Sequence, residues 1–114
     1  MPSQPRNHLF DVATADNTAV VRLNNLSLDD ANIRTLAEHL ARLVDESGRR
    51  RVRVDLGDVD SVGSTGLATF VALHQKLQSV GGQLTLCNAD TFVYEIFEIT
   101  RLNELLDVRR KEAG

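Results

Sequence analysis

The six residues Arg51-Val52-Arg53-Val54-Asp55-Leu56 alternate strictly, so an extended chain places Val52, Val54 and Leu56 on one face and Arg51, Arg53 and Asp55 on the other. Such a strand is stable only when a second layer covers its apolar face. The flanking patterns supply that layer as helices. On the N-terminal side Ile33, Leu36, Leu40, Leu43 and Val44 recur at helical spacing, and on the C-terminal side Leu67, Phe70, Val71 and Leu77 do the same. Strands that alternate with helices are joined by crossovers, so the sheet must contain parallel pairs.

The other elements follow from local patterns. His8 to Thr14 alternates loosely, Ala15-Asp16-Asn17-Thr18 is a turn, and Ala19 to Leu23 is a β-branched strand, which together predict a hairpin. Ser27-Leu28-Asp29-Asp30 has the form of a capping box with both acids in the first helical turn, and the helix it opens runs to about Val44. The basic run Arg49, Arg50, Arg51 and Arg53 begins just after Ser47-Gly48, where cations suit a helix C-terminus. A segment rich in Gly, Asp and Ser, Gly57 to Gly66, leads into a helix from about Thr65 to Val80 that Gly81-Gly82 closes. Gln83 to Cys87 is a further strand. Asp90 caps a third helix, Thr91 to about Thr100, with Phe92, Val93, Ile96, Phe97 and Ile99 facing inward. Leu102, Leu105, Leu106 and Val108 pack on as a last short helix or strand. The expected class is α/β in the order β-β-α-β-α-β-α, a mixed sheet with helices packed on it. One domain spans residues 9–110, between an N-terminal segment 1–8 and a charged tail 111–114.

Composition narrows the function. Aromatic residues make up only 4%, so the core must be aliphatic, and 13 Lys and Arg against 16 Asp and Glu leave a formal net charge of −3. General affinity for nucleic acid rests on neutralising phosphates, and this balance gives it no basis. Cys87 is alone, which rules out an internal disulfide and two-cysteine metal spacings and fits a reducing cytoplasm. Neither a signal-peptide pattern nor an apolar run of membrane-spanning length is present, so no membrane insertion is expected. His8, His39 and His74 are scattered, and none has a second ligand at metal spacing. No metal or cofactor is implied.

The chemistry concentrates in Asp58-Val59-Asp60-Ser61-Val62-Gly63-Ser64-Thr65-Gly66-Leu67, which joins the clearest strand to the clearest helix. In open α/β sheets such junctions form sites at the carboxyl ends of strands. A hydroxyl there can cap the helix, help to bind a phosphate, or carry one. A Walker loop needs a Lys that is missing. A nucleophile elbow needs Gly two residues before the Ser, where Val62 stands. No acid and base pair is visible, so binding rather than catalysis is expected.

The run RVRVDLGDVDSVGSTGL (Arg51 to Leu67), the amphipathic helix after it and the strand from Gly81-Gly82-Gln83 resemble the STAS family of anti-sigma factor antagonists. The resemblance reaches from about Ala19 to Val108, and its most specific part is Ser64-Thr65-Gly66-Leu67. It implies that Ser64 is phosphorylated by a partner that is both an anti-sigma factor and a serine kinase, with Thr65 as neighbouring helix cap and fallback acceptor. Gly63 stands where the family usually has Asp. By the helical wheel Ala68, Ala72 and Gln75 line up below Ser64 on the solvent side, so the expected partner surface is Gly63, Ser64, Thr65, Ala68 and Ala72. A second reading is an unmodified accessory subunit on the ATPase of a lipid-transport ABC system.

Overall fold

The computed structural model describes residues 10–15, 17–24, 26–28, 30–48 and 50–111. The predicted hairpin forms from β1 (Phe10–Ala15) and β2 (Thr18–Leu23), which pair antiparallel from Phe10 opposite Leu23 to Ala15 opposite Thr18. A short strand β3 (Leu26–Leu28) then precedes helix α1 (Asp30–Ser47). Ser27 lies two residues before the position that precedes α1, not at its cap position. It lies in β3 opposite Ser61, so strand pairing claims its backbone before α1 begins at Asp30, while Asp29 falls outside the described residues.

The chain continues through β4 (Arg51–Asp55), β5 (Val59–Val62), α2 (Ser64–Ser79), β6 (Gln83–Ala89), α3 (Thr91–Ile99), a 3-10 turn at Leu102–Glu104, and β7 (Asp107–Arg110). The main sheet has the order β1-β2-β4-β6-β7, antiparallel at β1-β2 and parallel at the three other pairings. The mixed α/β sheet expected from the crossovers is thus present. The structure adds a separate two-stranded sheet, β3 with β5, also parallel.

Val21, Val52, Val54, Leu84 and Leu86 from the sheet join Ile33, Leu36, Leu40, Phe70, Leu77, Val93 and Phe97 from the helices in one core. The opposite sheet face is open. Arg51 and Arg53 stand exposed there, on β4 and not in a turn at the end of α1, because the two-residue alternation of the strand turns them away from the core. Gly48 marks that helix end with a left-handed φ of 70°.

Both later helices are rotated slightly from their predicted settings. On α2 the buried residues are Gly66, Phe70, Leu73 and Leu77, with Leu67 and Val71 half-buried against the core. Leu73, absent from the predicted stripe, lies between them and faces α1. On α3 only Val93 and Phe97 are buried, whereas Phe92 is 59% exposed and Ile99 81% exposed. A helix of nine residues touches the core along one line four residues apart, and a rotation of about 100° per residue carries Phe92 and Ile99 off it. Leu105 is likewise half-exposed, while Leu106 is buried.

The helix ends use the predicted devices. Gly81, at φ 75°, and Gly82 close α2 by donating to the carbonyls of Gln78 and Leu77. A side chain at Gly82 would meet the Arg50 carbonyl. Asp90 Oδ1 accepts from the Val93 N–H at 2.8 Å and caps α3. Asp90→Ala should therefore lower stability by about 1 kcal/mol, measured by urea denaturation with an unchanged slope. No loss would show that the cap bond adds nothing to α3.

Candidate functional site

Strand β4 ends at Asp55, and this carboxylate shapes the exit from the sheet. Its Oδ1 accepts from the Gly57 N–H at 2.8 Å and from Asn88 Nδ2 at 3.0 Å. Asn88 holds a left-handed φ of 65°, a conformation that Asn tolerates better than most residues. The Leu56 N–H donates to the Cys87 carbonyl at 2.9 Å, which carries the ladder one residue past β4, and the Val59 N–H turns back to the Leu56 carbonyl at 3.0 Å. Val59 and Val62 are buried, so β5 is pinned to the core at both ends and delivers Gly63 to a fixed place.

Gly63 is the N-cap of α2, with extended backbone (φ −86°, ψ −179°) and no side-chain capping bond. Its carbonyl accepts the first helical bond, from the Leu67 N–H at 3.0 Å. This corrects the reading of Thr65 as a cap. Ser64 and Thr65 are the first two helical residues, and a side chain caps only from the extended position before them, which Gly63 occupies. Among the described residues neither hydroxyl enters a side-chain hydrogen bond. Among the described residues no side-chain oxygen caps the N–H groups of the first turn.

Gly63, Ser64, Thr65, Ala68, Ala72 and Gln75 are all exposed, and the helical repeat sets Ser64, Ala68, Ala72 and Gln75 along one strip. The expected surface is therefore assembled on one side of α2. Thr69 lies half-buried beside it, its Oγ1 donating to the Thr65 carbonyl at 2.9 Å. Next to the strip, Ala37, Leu40, Ala41, Thr69, Ala72 and Leu73 line an apolar groove of about 200 Å³ between α1 and α2. Lys76, also on its lining, pairs with Asp45 of α1 at 3.0 Å. Sequence patterns did not reveal this groove, because it depends on how two helices lie together.

The remaining candidates gather no chemistry. His39 is exposed, with Nδ1 3.0 Å from the Thr35 carbonyl and its ring 5.2 Å from that of Phe10. His74 is half-buried, and His8 lies outside the described residues. No cluster of three or more His, Cys, Asp or Glu able to hold a metal occurs among the described residues. Burial, and then the nearby Asp55 carboxylate, push the Cys87 thiol up, away from the reactive thiolate. Among the described residues no helix is long and apolar enough to cross a membrane.

Comparison with known proteins places this geometry. An anti-sigma-B factor antagonist of Bacillus subtilis is 30% identical over 104 residues, covering 91% of this chain and 93% of that protein. A candidate anti-sigma factor antagonist of Bordetella bronchiseptica is 40% identical over 73 residues, and this stretch spans 62% of its length and 64% of this chain. Among solved structures, an anti-sigma factor antagonist from Mycobacterium paratuberculosis superposes with a TM-score of 0.77 at 21% identity, over 88% of this chain and 83% of that one. The unphosphorylated form of the anti-sigma factor antagonist SpoIIAA gives a TM-score of 0.70 at 13% identity, over 91% and 89%. These two share the fold. The STAS domain model matches residues 10–114, a span that contains every residue described above, and the chain therefore belongs to the STAS domain family.

Proposed function

We propose that the protein is an anti-sigma factor antagonist, acting in the cytoplasm, that captures an anti-sigma factor with serine kinase activity and is switched off by phosphate on Ser64. The observation that carries this reading is the exposed Ser64 at the head of α2, above an uncharged strip of small residues. Small side chains let a partner come close to the helix backbone. A phosphate on Ser64 brings about −1.5 to −2 charges, which the positive end of the helix dipole and the uncapped N–H groups tolerate. The fold is then kept while the surface changes, and a partner that covers the strip is excluded.

The relatives support the same reading, since the Bacillus subtilis protein that aligns over 104 residues is an anti-sigma-B factor antagonist. SpoIIAA, whose phosphorylated form has a TM-score of 0.68 to this chain, belongs to the same fold. Thr65, also exposed, is the second acceptor. In Gly63 the chain lacks the carboxylate usual before the acceptor. That absence is the specific observation favouring the alternative, an unmodified subunit on a transporter ATPase.

One experiment separates the two. The full chain is incubated with ATP and the anti-sigma factor kinase of its own organism, and the phosphate is mapped by mass spectrometry. Phosphate is expected on Ser64, lost in Ser64→Ala and retained in Thr65→Ala. Phosphate on Ser61 or Ser79, or on no residue, overturns the assignment.

A further inference from the structure

Helix α3 carries two apolar lines, and among the described residues only one of them is buried. Val93 and Phe97 are fully buried. Phe92, Ile96 and Ile99 follow the spacing i, i+4, i+7, so they share a second line about 100° around the helix. Phe92 is 59% exposed, Ile99 81% exposed, and Ile96 half-buried between them. A single exposed apolar residue on a surface needs no explanation, but an aligned set on one helix marks a surface made to be covered.

The charges beside that line specify what covers it. Glu95 and Glu98 are both exposed on the side away from the core, Glu95 directly beside the line and Glu98 one step further round the helix. On its other flank the buried pair Val93 and Phe97 turns into the body of the domain. A ligand must therefore sit over Phe92, Ile96 and Ile99 with its polar side against two carboxylates. A second copy laid antiparallel on α3 would set Glu95 and Glu98 against their own counterparts, a like-charge arrangement that disfavours pairing. An anionic membrane surface meets the same repulsion, added to the net charge of −3.

We propose that α3 is a docking surface for an amphipathic helix of a protein partner, its apolar seam seated on Phe92, Ile96 and Ile99 and its flank of Lys or Arg facing Glu95 and Glu98. With nine residues α3 is roughly 13 Å long, so the contact engages two to three turns of the partner. The surface belongs to a different helix from Ser64, and the inference does not depend on the phosphorylation reading.

The test titrates two synthetic helical peptides with the same leucine seam, one flanked by Lys and the other by Glu, into the isotope-labelled full chain. The Lys peptide is expected to shift the amide resonances of α3, and the Glu peptide to leave them in place. Phe92→Ser and Ile99→Ser should each weaken the Lys peptide at least about tenfold while circular dichroism stays unchanged. Glu95→Lys with Glu98→Lys should reverse the preference, and Ser64→Asp should bind as the wild type does. Shifts confined to other elements, equal binding of the two peptides, or unaltered affinity in Ile99→Ser would overturn the proposal. So would a dimer by sedimentation, or binding to phosphatidylglycerol vesicles, that Ile99→Ser abolishes; these would assign the face to a second copy or to a membrane.

Discussion

Phe70→Ala is expected to lower stability by about 3–5 kcal/mol, the range for removing a fully buried phenyl ring without collapse of the space it leaves. Phe70 has no solvent exposure, and its ring lies 6.5 Å from that of Phe97 at 42°. It thus couples α2 to α3 across a core otherwise made almost wholly of aliphatic side chains. Domains of this size hold about 5–15 kcal/mol in all, so the loss is a large part of the total. Urea unfolding followed by circular dichroism should show the midpoint falling with the slope retained. Phe92→Ala supplies the contrast. It deletes the same group from a site 59% exposed, and the change should stay within about 0.5 kcal/mol. Equal losses from the two variants would mean that α3 is rotated relative to the setting described.

Ala68→Arg is expected to weaken binding of the anti-sigma partner by about 2–3 kcal/mol, roughly a hundredfold, while leaving the fold intact. Ala68 is exposed midway between Ser64 and Ala72, and a long cation there holds any close-fitting surface away. Ser64→Asp should weaken binding as well, through charge rather than bulk, and by less than a phosphate because it adds a single negative charge. Both variants change exposed positions, so stability should move by no more than about 0.5 kcal/mol. Calorimetry measures the affinity and thermal denaturation the fold. Wild-type affinity in Ala68→Arg would place the partner elsewhere.

Elements with a period long enough to repeat were legible in the sequence. The alternation in Arg51 to Leu56, the stripe from Ile33 to Val44, the Asp90 cap and the Gly81-Gly82 stop each act within a few residues of themselves, and each appears in the structure. β3 and β5 were not legible. They have three and four residues, and Val59 and Val62 are three apart in a polar run that reads as a turn. Their pairing is also interrupted by a register shift between Leu26 and Ser27. The consequence reached the site: without β5 the start of α2 falls at Thr65, whereas the buried pair Val59 and Val62 sets Gly63 as cap and Ser64 as the first helical residue. The inward assignment of Phe92 and Ile99 failed for a different reason. Hydrophobicity reports that a residue seeks cover, and it does not say whether the cover belongs to the same chain.

The sheet order also governs how the chain reaches its native state. In β1-β2-β4-β6-β7 the hairpin joins neighbours through one tight turn, but β2 meets β4, β4 meets β6, and β6 meets β7 only after an intervening helix or helical turn has crossed over. Each parallel pairing closes a long loop, and the entropy of closure is lost before the strands gain their bonds. The hairpin can form within microseconds, whereas the parallel centre needs distant segments to meet. Pairing of β4 with both neighbours is therefore expected to set the refolding rate, and pulse-labelled amide exchange should show the segment that carries Ser64 gaining protection after the β1-β2 hairpin.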